Sequence, residues 1–217
     1  MQPRLSKKRN AAMTLFEVGI VIAVVMILVV LLLPALTRRR HGGSYINCVN
    51  NLKQIGLAYR IWEGDHGDIY PMGISVTNGG SMEMVATGNV VQTFLVMSNE
   101  LSTPRLLVCP NDDRLLATSF SGLSASNISY FVGVDVTNEM HPQMIVSGDS
   151  DFEVGGVAVK PGLWELGTNE PVVWSATRHV KSGNIGLADG SVQSTTSPRM
   201  QDYFQQTGLA TNRLALP

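Results

Sequence analysis

The chain has 217 residues, of which 15% are charged and 44% hydrophobic. This length provides for one domain with a sizeable core, and the composition excludes both an intrinsically disordered chain and a highly charged nucleic-acid-binding protein. The residues after position 41 contain 9 basic and 16 acidic side chains, a net charge near −7. We therefore expect a basic, apolar N-terminus followed by an acidic folded head that binds no nucleic acid.

The first predicted element is an uncharged apolar segment over Val18–Leu36. At about 1.5 Å per residue a helix of this length crosses a hydrocarbon layer of roughly 30 Å, which predicts a membrane-spanning helix. Glu17 precedes the segment, where an ionisable side chain either marks the headgroup region or has a function of its own. No small-x-small cleavage site follows the segment, which disfavours a cleaved secretory signal peptide.

The rest of the sequence predicts an α+β head. Apolar spacing extends the N-terminal helix to about Glu63, a short amphipathic helix follows over Asn89–Ser98, and Pro198 precedes a terminal helix over Arg199–Gln206. The predicted strands are short and separated by turns: Leu106–Cys109, Ile128–Val134, Met144–Val146, Val172–Trp174, Asn184–Ala188 and Ser191–Ser194.

The N-terminal residues resemble a known processing signal. A basic leader, the segment AAMTLFE over Ala11–Glu17 and an unbroken apolar helix are similar to the class III signal of type IV prepilins and type II secretion pseudopilins. The resemblance implies cleavage by the prepilin peptidase between Ala12 and Met13 and N-methylation of Met13. Ala12 stands where the family usually has glycine, and Met13 where it more often has phenylalanine.

The same resemblance implies assembly through the N-terminal helices. In an apolar helical bundle the carboxylate of Glu17 needs an opposite charge, and the amine of Met13 on a neighbouring subunit would provide it. Pro34 removes one intrahelical hydrogen bond and is expected to kink or locally melt the helix on assembly. An ordinary proline at the membrane exit explains Pro34 equally well.

The head contains four motifs that resemble a large pseudopilin-like family of planctomycete and verrucomicrobial bacteria. The motifs are CVNNLKQIGLA from Cys48, followed by HG and YP; LVCPND around Cys109; SYFVG from Ser129; and His179 separated by nine residues from Asp189-Gly190. Each motif is weak alone, but the four in this order are specific. The resemblance implies a pilin-like fold, in which a long N-terminal helix packs on a small antiparallel sheet.

The two cysteines of the head have two open interpretations. Cys48 and Cys109 would lie on the oxidising side of the membrane, where they form a disulfide between the helix and the sheet or remain two buried thiols. For the His-x9-Asp-Gly motif, a two-residue hairpin turn at Asp189-Gly190 accounts for those two residues. His179, which precedes a strand, is interpreted as a hydrogen-bond partner rather than a metal ligand.

Cofactor binding and catalysis have little support in the sequence. The acidic loops at 65–68, 112–113 and 149–151 offer the oxygen donors that calcium prefers, but none has the regular spacing of a calcium-binding loop. Ca2+ in the head is therefore the minor alternative to no cofactor. The sequence contains no serine-hydrolase elbow, dinucleotide-binding motif or phosphate-binding loop, and no base neighbours either cysteine in sequence, so we expect no enzyme.

Together with the apolar segment, the resemblance implies a cytoplasmic leader at 1–12, a transmembrane and filament-core helix at 13–37, a periplasmic half of that helix at 38–63 and a periplasmic head at 64–217. The resemblance implies a structural subunit of a type II secretion pseudopilus or type IV pilus-like filament. Its partners would be like subunits, minor pseudopilins, the prepilin peptidase and methyltransferase, the inner-membrane assembly platform and the lipid bilayer. The alternative is a membrane-anchored periplasmic binding module that does not polymerise.

Overall fold

The computed structural model describes residues 15–217, and it describes the side chains of these residues outside positions 31–44. Two compact units divide the chain, Met1–Gly42 and Gly43–Pro217. The predicted processing site, Ala12 and Met13, lies outside the described residues. The contacts of the head reported below all belong to the second unit.

A long helix, α1, spans Leu15–Asp65. It confirms the predicted N-terminal helix and places its end two residues beyond Glu63. The helix continues through Pro34 without interruption, and its loosening on assembly stays a prediction. A proline removes only its own N–H, and its fixed φ is compatible with helical backbone.

Within the described residues, no helix is both long enough and sufficiently apolar to cross a membrane. The predicted span over Val18–Leu36 reaches into the positions whose side chains are not described, and it stays a prediction from sequence. The described side chains before position 31 are largely apolar and exposed; Leu15 is 92% and Phe16 76% exposed.

The elements of the head are short. The helices are α2 (Met82–Val85), α3 (Val90–Val96), α4 (Ser98–Leu101) and α5 (Ser197–Gln206). Single 3₁₀ turns occupy Pro71–Gly73, Val76–Asn78, Pro104–Leu107, Phe120–Gly122 and Ala125–Asn127. The strands are β1 (Tyr130–Gly133), β2 (Ile145–Asp149), β3 (Phe152–Val154), β4 (Val157–Ala158), β5 (Gly162–Gly167), β6 (Val172–Trp174), β7 (Ser182–Leu187), β8 (Val192–Thr196) and β9 (Thr211–Leu216).

The strands form two antiparallel sheets. The larger sheet has six strands in the order β5-β9-β1-β2-β7-β8, and the smaller has three in the order β4-β3-β6. This confirms the predicted α+β class with an antiparallel sheet. The sequence analysis did not predict β3, β4, β5 or β9. Strand β9 lies inside the larger sheet between β5 and β1.

The larger sheet is the middle layer of the head, because successive side chains of its strands enter two different cores. Tyr130 and Val132 belong to a core shared with the buried face of α1, whereas Phe131 belongs to a second core shared with α5 and the smaller sheet. Among the described side chains of α1, the buried apolar residues are Cys48, Leu52, Ile55, Ala58, Tyr59 and Trp62. Of the apolar residues whose spacing predicted this part of the helix, Leu52, Ile55 and Ala58 lie on the buried face. Ile46, Leu57 and Ile61 belong to the same predicted face but are between 48% and 60% exposed, so that face is confirmed only in part.

Two local predictions are wrong in detail. No strand forms over Leu106–Cys109: the segment begins in a 3₁₀ turn, which Pro104 initiates and the Thr103 hydroxyl caps by accepting from a backbone N–H. The hairpin loop before β8 has three residues, 188–190, instead of two. Its turn closes by a 3.0 Å hydrogen bond from the N–H of Gly190 to Leu187 O, and Gly190 has a φ of 81°, as is typical of three-residue hairpin loops.

Gly183→Ala is expected to lower the free energy of unfolding by about 2 kcal/mol, the usual cost of overpacking a core. A Cβ at Gly183 would lie 2.5 Å from the ring of Trp174, whose indole N–H donates to the Thr195 hydroxyl at 3.0 Å. Gly186→Ala on the same strand is the control, because its Cβ would meet only Ser147 O at 3.6 Å. Urea unfolding of both variants checks the prediction, and equal losses would contradict it.

Candidate functional site

The candidate site is a buried polar cluster around a disulfide between α1 and the segment before β1. Cys48 and Cys109 are bonded, with their Cα atoms 5.1 Å apart, and both are fully buried. This decides between the two interpretations of the cysteines in favour of the bridge. Cys109 follows the 3₁₀ turn described above and precedes β1, so the bridge joins α1 to a loop of the head rather than to a strand.

His179 contacts this disulfide. Its Nε2 atom lies 3.3 Å from the sulfur of Cys109, and its Nδ1 atom lies 3.2 Å from the amide nitrogen of Asn111. The same amide nitrogen donates to Arg178 O at 3.2 Å, which fixes the orientation of the Asn111 amide. Nδ1 of His179 therefore accepts a hydrogen bond, and Nε2 carries the proton that points to Cys109.

The imidazole of His179 is held in its neutral form. The residue is 7% exposed, and the Tyr45 ring packs against it in a T-shaped arrangement at a centroid distance of 5.1 Å. Burial, reinforced by the positive charge of Arg178, lowers the pKa of the imidazole. His179 thus acts at neutral pH as a hydrogen-bond donor to sulfur.

A buried carboxylate, that of Asp149 at the end of β2, lies near the imidazole of His179. Its Oδ2 atom accepts from the backbone N–H and the side-chain amide of Asn184 at 2.8 and 2.9 Å, and it lies 3.7 Å from Nε2 of His179. Its Oδ1 atom is buried without a hydrogen-bond partner among the described residues. Complete burial raises the pKa of Asp149 to about 6, although the Asn184 hydrogen bonds and the charge of Arg178 oppose the shift.

A second charged group adjoins the cluster. Arg178 forms a 2.6 Å ion pair with Asp112, and the same carboxylate lies 3.3 Å from Nε of Arg114 and accepts from the Ser129 hydroxyl at 2.7 Å. Asp151 accepts from the backbone N–H of Arg178 at 3.0 Å. Asp112 and Asp151, one carboxylate from each of two acidic loops considered for calcium, are therefore already engaged by protein donors.

One group of potential metal ligands occurs in the part of the chain that the structure describes. It consists of Cys48, Cys109 and His179, whose donor atoms lie within 4.8 Å of one another. The two sulfurs are bonded to each other, so they are not thiolate ligands in this state. The Ca2+ alternative stays a prediction from the acidic loops.

His179 and Asp189 do not form a shared site. Asp189 is exposed, and its side chain accepts from the N–H of Ser191 at 2.8 Å within the hairpin loop. Its backbone carbonyl accepts from the guanidinium of Arg60 on α1 at 3.0 Å. His179 contacts Cys109, which is bonded to Cys48 on α1, whereas Asp189 contacts Arg60 on the same helix. The two ends of the His-x9-Asp-Gly motif therefore contact α1 at separate places, which gives the motif a structural role in the head.

A surface pocket of about 450 Å³ lies beside the disulfide. It is lined by Asn47, Asn51, Arg105, Leu106, Val108, Cys109, Pro110, Asp112, Arg114 and Leu116. Arg105 is exposed, and no ion pair among the described residues includes it. The pocket combines an apolar wall with a cationic edge, an arrangement suited to a small anionic ligand.

Sequence reasoning missed both the pocket and the proximity of His179 to Cys109. These two residues are 70 positions apart, so the absence of a histidine near either cysteine in sequence was not informative. One signal was available for the pocket: Arg105 and Arg114, which line it, are two of only nine basic residues after position 41. Their clustering depends on the fold, because Arg105 lies in a 3₁₀ turn and Arg114 in the loop after it.

No protein-family model, no curated protein and no solved structure matches this chain. The resemblance to prepilins therefore rests on the sequence motifs alone. The structural observations that bear on function are the exposed apolar residues of α1, the disulfide and the pocket beside it.

Lowering the pH from 7 to 5 is expected to stabilise the wild type by about 1 kcal/mol more than it stabilises Asp149→Asn. The pKa of Asp149 is about 6 in the folded chain and 3.8 in the reference state, so the folded chain binds this proton more tightly. The stabilisation of the folded chain by this proton is absent well above pH 6, grows as the pH falls through 6, and is complete below pH 3.8. Urea unfolding at both pH values tests this, and a difference independent of pH would contradict it.

Proposed function

We propose that this chain is a prepilin-like structural subunit, which is processed at its N-terminus and assembled into a type II secretion pseudopilus or a type IV pilus-like filament. The observation that carries the proposal is the N-terminal sequence, in which AAMTLFE precedes a long apolar helix. Peptidase cleavage after Ala12 and methylation of Met13 would place Glu17 fifth in the mature chain. The lipid bilayer would hold the helix before assembly, with the head in the periplasm.

The exposed apolar side chains of α1 support an assembly role. Over residues 15–30, large side chains such as Leu15, Phe16, Met26 and Val30 are between 63% and 92% exposed. Exposed apolar surface of this extent marks contact with a membrane or with other proteins. In the proposal, lipid covers this surface first and the helices of like subunits and minor pseudopilins cover it in the filament, where burial provides the association energy.

The disulfide supports an exported head. Disulfides persist in oxidising compartments such as the bacterial periplasm and are rare in the cytosol. The Cys48–Cys109 bridge fastens the final part of α1 to the head. A head stabilised in this way would keep its shape while the N-terminal helix moves from the membrane into a filament.

The N-terminus of the protein isolated from its native membranes tests the processing step. We expect the intact mass and the N-terminal peptide to begin at methylated Met13, with residues 1–12 absent. A chain that still begins at Met1 would contradict processing and remove the basis for the filament.

Glu17→Gln tests assembly, because it removes the charge and keeps the size of the side chain. We expect the variant to insert into the membrane at the wild-type level but to lose filaments, measured as sheared or cross-linked multimers. Glu170→Gln, which changes an exposed carboxylate of the head, is the control and should assemble normally. Normal assembly of Glu17→Gln would contradict the pairing with a neighbouring N-terminus.

The second candidate function is a membrane-anchored periplasmic binding module that does not polymerise. The pocket of about 450 Å³ with Arg105 at its edge is the observation that favours it. This candidate predicts that the protein remains monomeric in its native membrane whether or not Glu17 is changed. Filaments in the wild type would exclude it.

A further inference from the structure

The two sulfurs of the disulfide have different surroundings. The sulfur of Cys109 receives the Nε2–H of His179 at 3.3 Å, whereas no hydrogen bond among the described residues reaches the sulfur of Cys48. A hydrogen bond from a fixed donor stabilises a thiolate relative to a thiol. In the reduced chain, Cys109 would therefore be the cysteine with the larger thiolate fraction.

The donor is fixed from several sides. Asn111 donates to Nδ1, the ring of Tyr45 on α1 forms a T-shaped contact with the imidazole, and Arg178 is the adjacent cation. Asp149 on β2 is the one competing acceptor that the described contacts place near Nε2, and it is farther away at 3.7 Å. This arrangement directs the N–H of His179 to the sulfur.

The pocket beside the disulfide adjoins Cys109 rather than Cys48. Cys109 is one of the residues that line it, whereas Cys48 is not. Both cysteines are fully buried while the bridge is intact, so a thiol–disulfide exchange requires the reduced chain to open locally at Cys109. Arg105 at the edge is exposed, and the amides of Asn47 and Asn51 add hydrogen-bonding groups. A small disulfide that carries carboxylates, such as glutathione disulfide, has the charge and polarity for this pocket.

We propose that Cys109 is the thiol that reacts first when the bridge is formed, with His179 as the positioning residue that stabilises its thiolate and the adjacent pocket as the binding site for an anionic disulfide oxidant. The inference does not depend on the proposed filament. It assigns a modification site to Cys109 and a ligand class to the pocket.

The reaction is a pair of thiol–disulfide exchanges. The Cys109 thiol loses its proton to solvent, and the thiolate attacks one sulfur of the oxidant. The first exchange forms a mixed disulfide on Cys109 and releases half of the oxidant as a thiolate. Cys48 then loses its proton and attacks the Cys109 sulfur, which forms the bridge and releases the other half. Two protein thiols are oxidised, and one oxidant disulfide is reduced to two thiols.

Single-cysteine variants of the full-length chain test which sulfur reacts. Reduced Cys48→Ser and Cys109→Ser are mixed with glutathione disulfide at pH 7, and adduct formation is followed by intact mass. We expect the adduct on Cys109 to form at least about threefold faster, since the gain in thiolate fraction exceeds the loss in nucleophilicity. Equal rates, or faster reaction at Cys48, would overturn the proposal.

A measurement without substitutions covers the case in which a variant fails to fold. The reduced wild type is partly alkylated with iodoacetamide, and peptide mapping shows which cysteine is labelled first. We expect Cys109 to be labelled before Cys48, and the reverse order or no preference overturns the proposal.

The role of His179 is tested in the Cys48→Ser background. His179→Leu removes the donor and should move the pH–rate profile of adduct formation to higher pH. His179→Gln keeps an N–H near the same position and should restore most of the wild-type profile. His141→Leu, at an exposed histidine, is the control. An unchanged profile in His179→Leu would show that the histidine does not act on the thiolate.

Arg105→Gln tests the pocket. It should slow the reaction with glutathione disulfide and leave that with uncharged 2-hydroxyethyl disulfide unchanged. Arg199→Gln, at another exposed arginine, should slow neither. Equal effects of Arg105→Gln on the two oxidants would overturn the assignment of an anionic ligand.

Discussion

The double variant Cys48→Ala with Cys109→Ala is expected to unfold with a free energy about 4 kcal/mol below that of the oxidised chain. The bridge joins positions 61 apart and therefore closes a long loop in the unfolded state. In the chain-entropy model, the loss of that constraint increases the conformational freedom of the unfolded chain. Guanidinium unfolding of the oxidised chain and the double variant measures the effect.

The reduced wild type is the control for this experiment, because it loses the bond but keeps both sulfur atoms. It should lie within about 1 kcal/mol of the double variant, the remaining difference being the packing of the sulfurs. A loss below about 1 kcal/mol in both proteins would contradict the prediction and would mean that the bridge is strained or that the unfolded chain is compact.

Arg178→Met is expected to lower the free energy of unfolding by about 3 kcal/mol. The side chains of Arg178 and Asp112 are 10% and 11% exposed and form a 2.6 Å ion pair. Arg178 also donates to Ser129 O at 3.0 Å. Its removal leaves the Asp112 carboxylate buried, with Arg114 and the Ser129 hydroxyl as its remaining partners.

Arg60→Met is the matched control. Arg60 pairs with Glu139 at the surface, where the two side chains are 44% and 48% exposed, so its removal should cost less than about 1 kcal/mol. Adding Asp112→Asn to Arg178→Met should recover part of the loss, because the uncompensated charge is removed. Strictly additive losses in this double-mutant cycle would contradict a direct interaction.

Elements with a local cause were predictable from the sequence. The apolar spacing that includes Leu52, Ile55 and Ala58 predicted the helix and these three members of its buried face. Asn89 begins α3 because its side chain accepts from the N–H of Val91 at 3.0 Å, and Pro198 occupies the first turn of α5. These signals depend on residues only a few positions apart, so they can be recognised in the sequence without knowledge of the fold.

Strand β9 had no comparable local signal. The sequence TNRLAL is preceded by Gly208 and follows a helix, and its last three residues are buried on both faces of the sheet, so the alternation typical of a surface strand is missing. Its partners β1 and β5 lie far from it in sequence. The place of this strand depends on hydrogen bonds that no local pattern encodes.

The sequence by itself determined the α+β class, the long N-terminal helix and its end, and the resemblance to a prepilin signal at Ala12, Met13 and Glu17. Only the tertiary structure decided that Cys48 and Cys109 are bonded, that His179 donates to Cys109 rather than meeting Asp189, and that a cationic pocket adjoins the bridge. The physical reason is the sequence separation of the interacting residues, because periodicity, caps and turns depend on neighbouring residues. A disulfide, a buried histidine and a pocket depend on packing between segments about 60 to 70 positions apart.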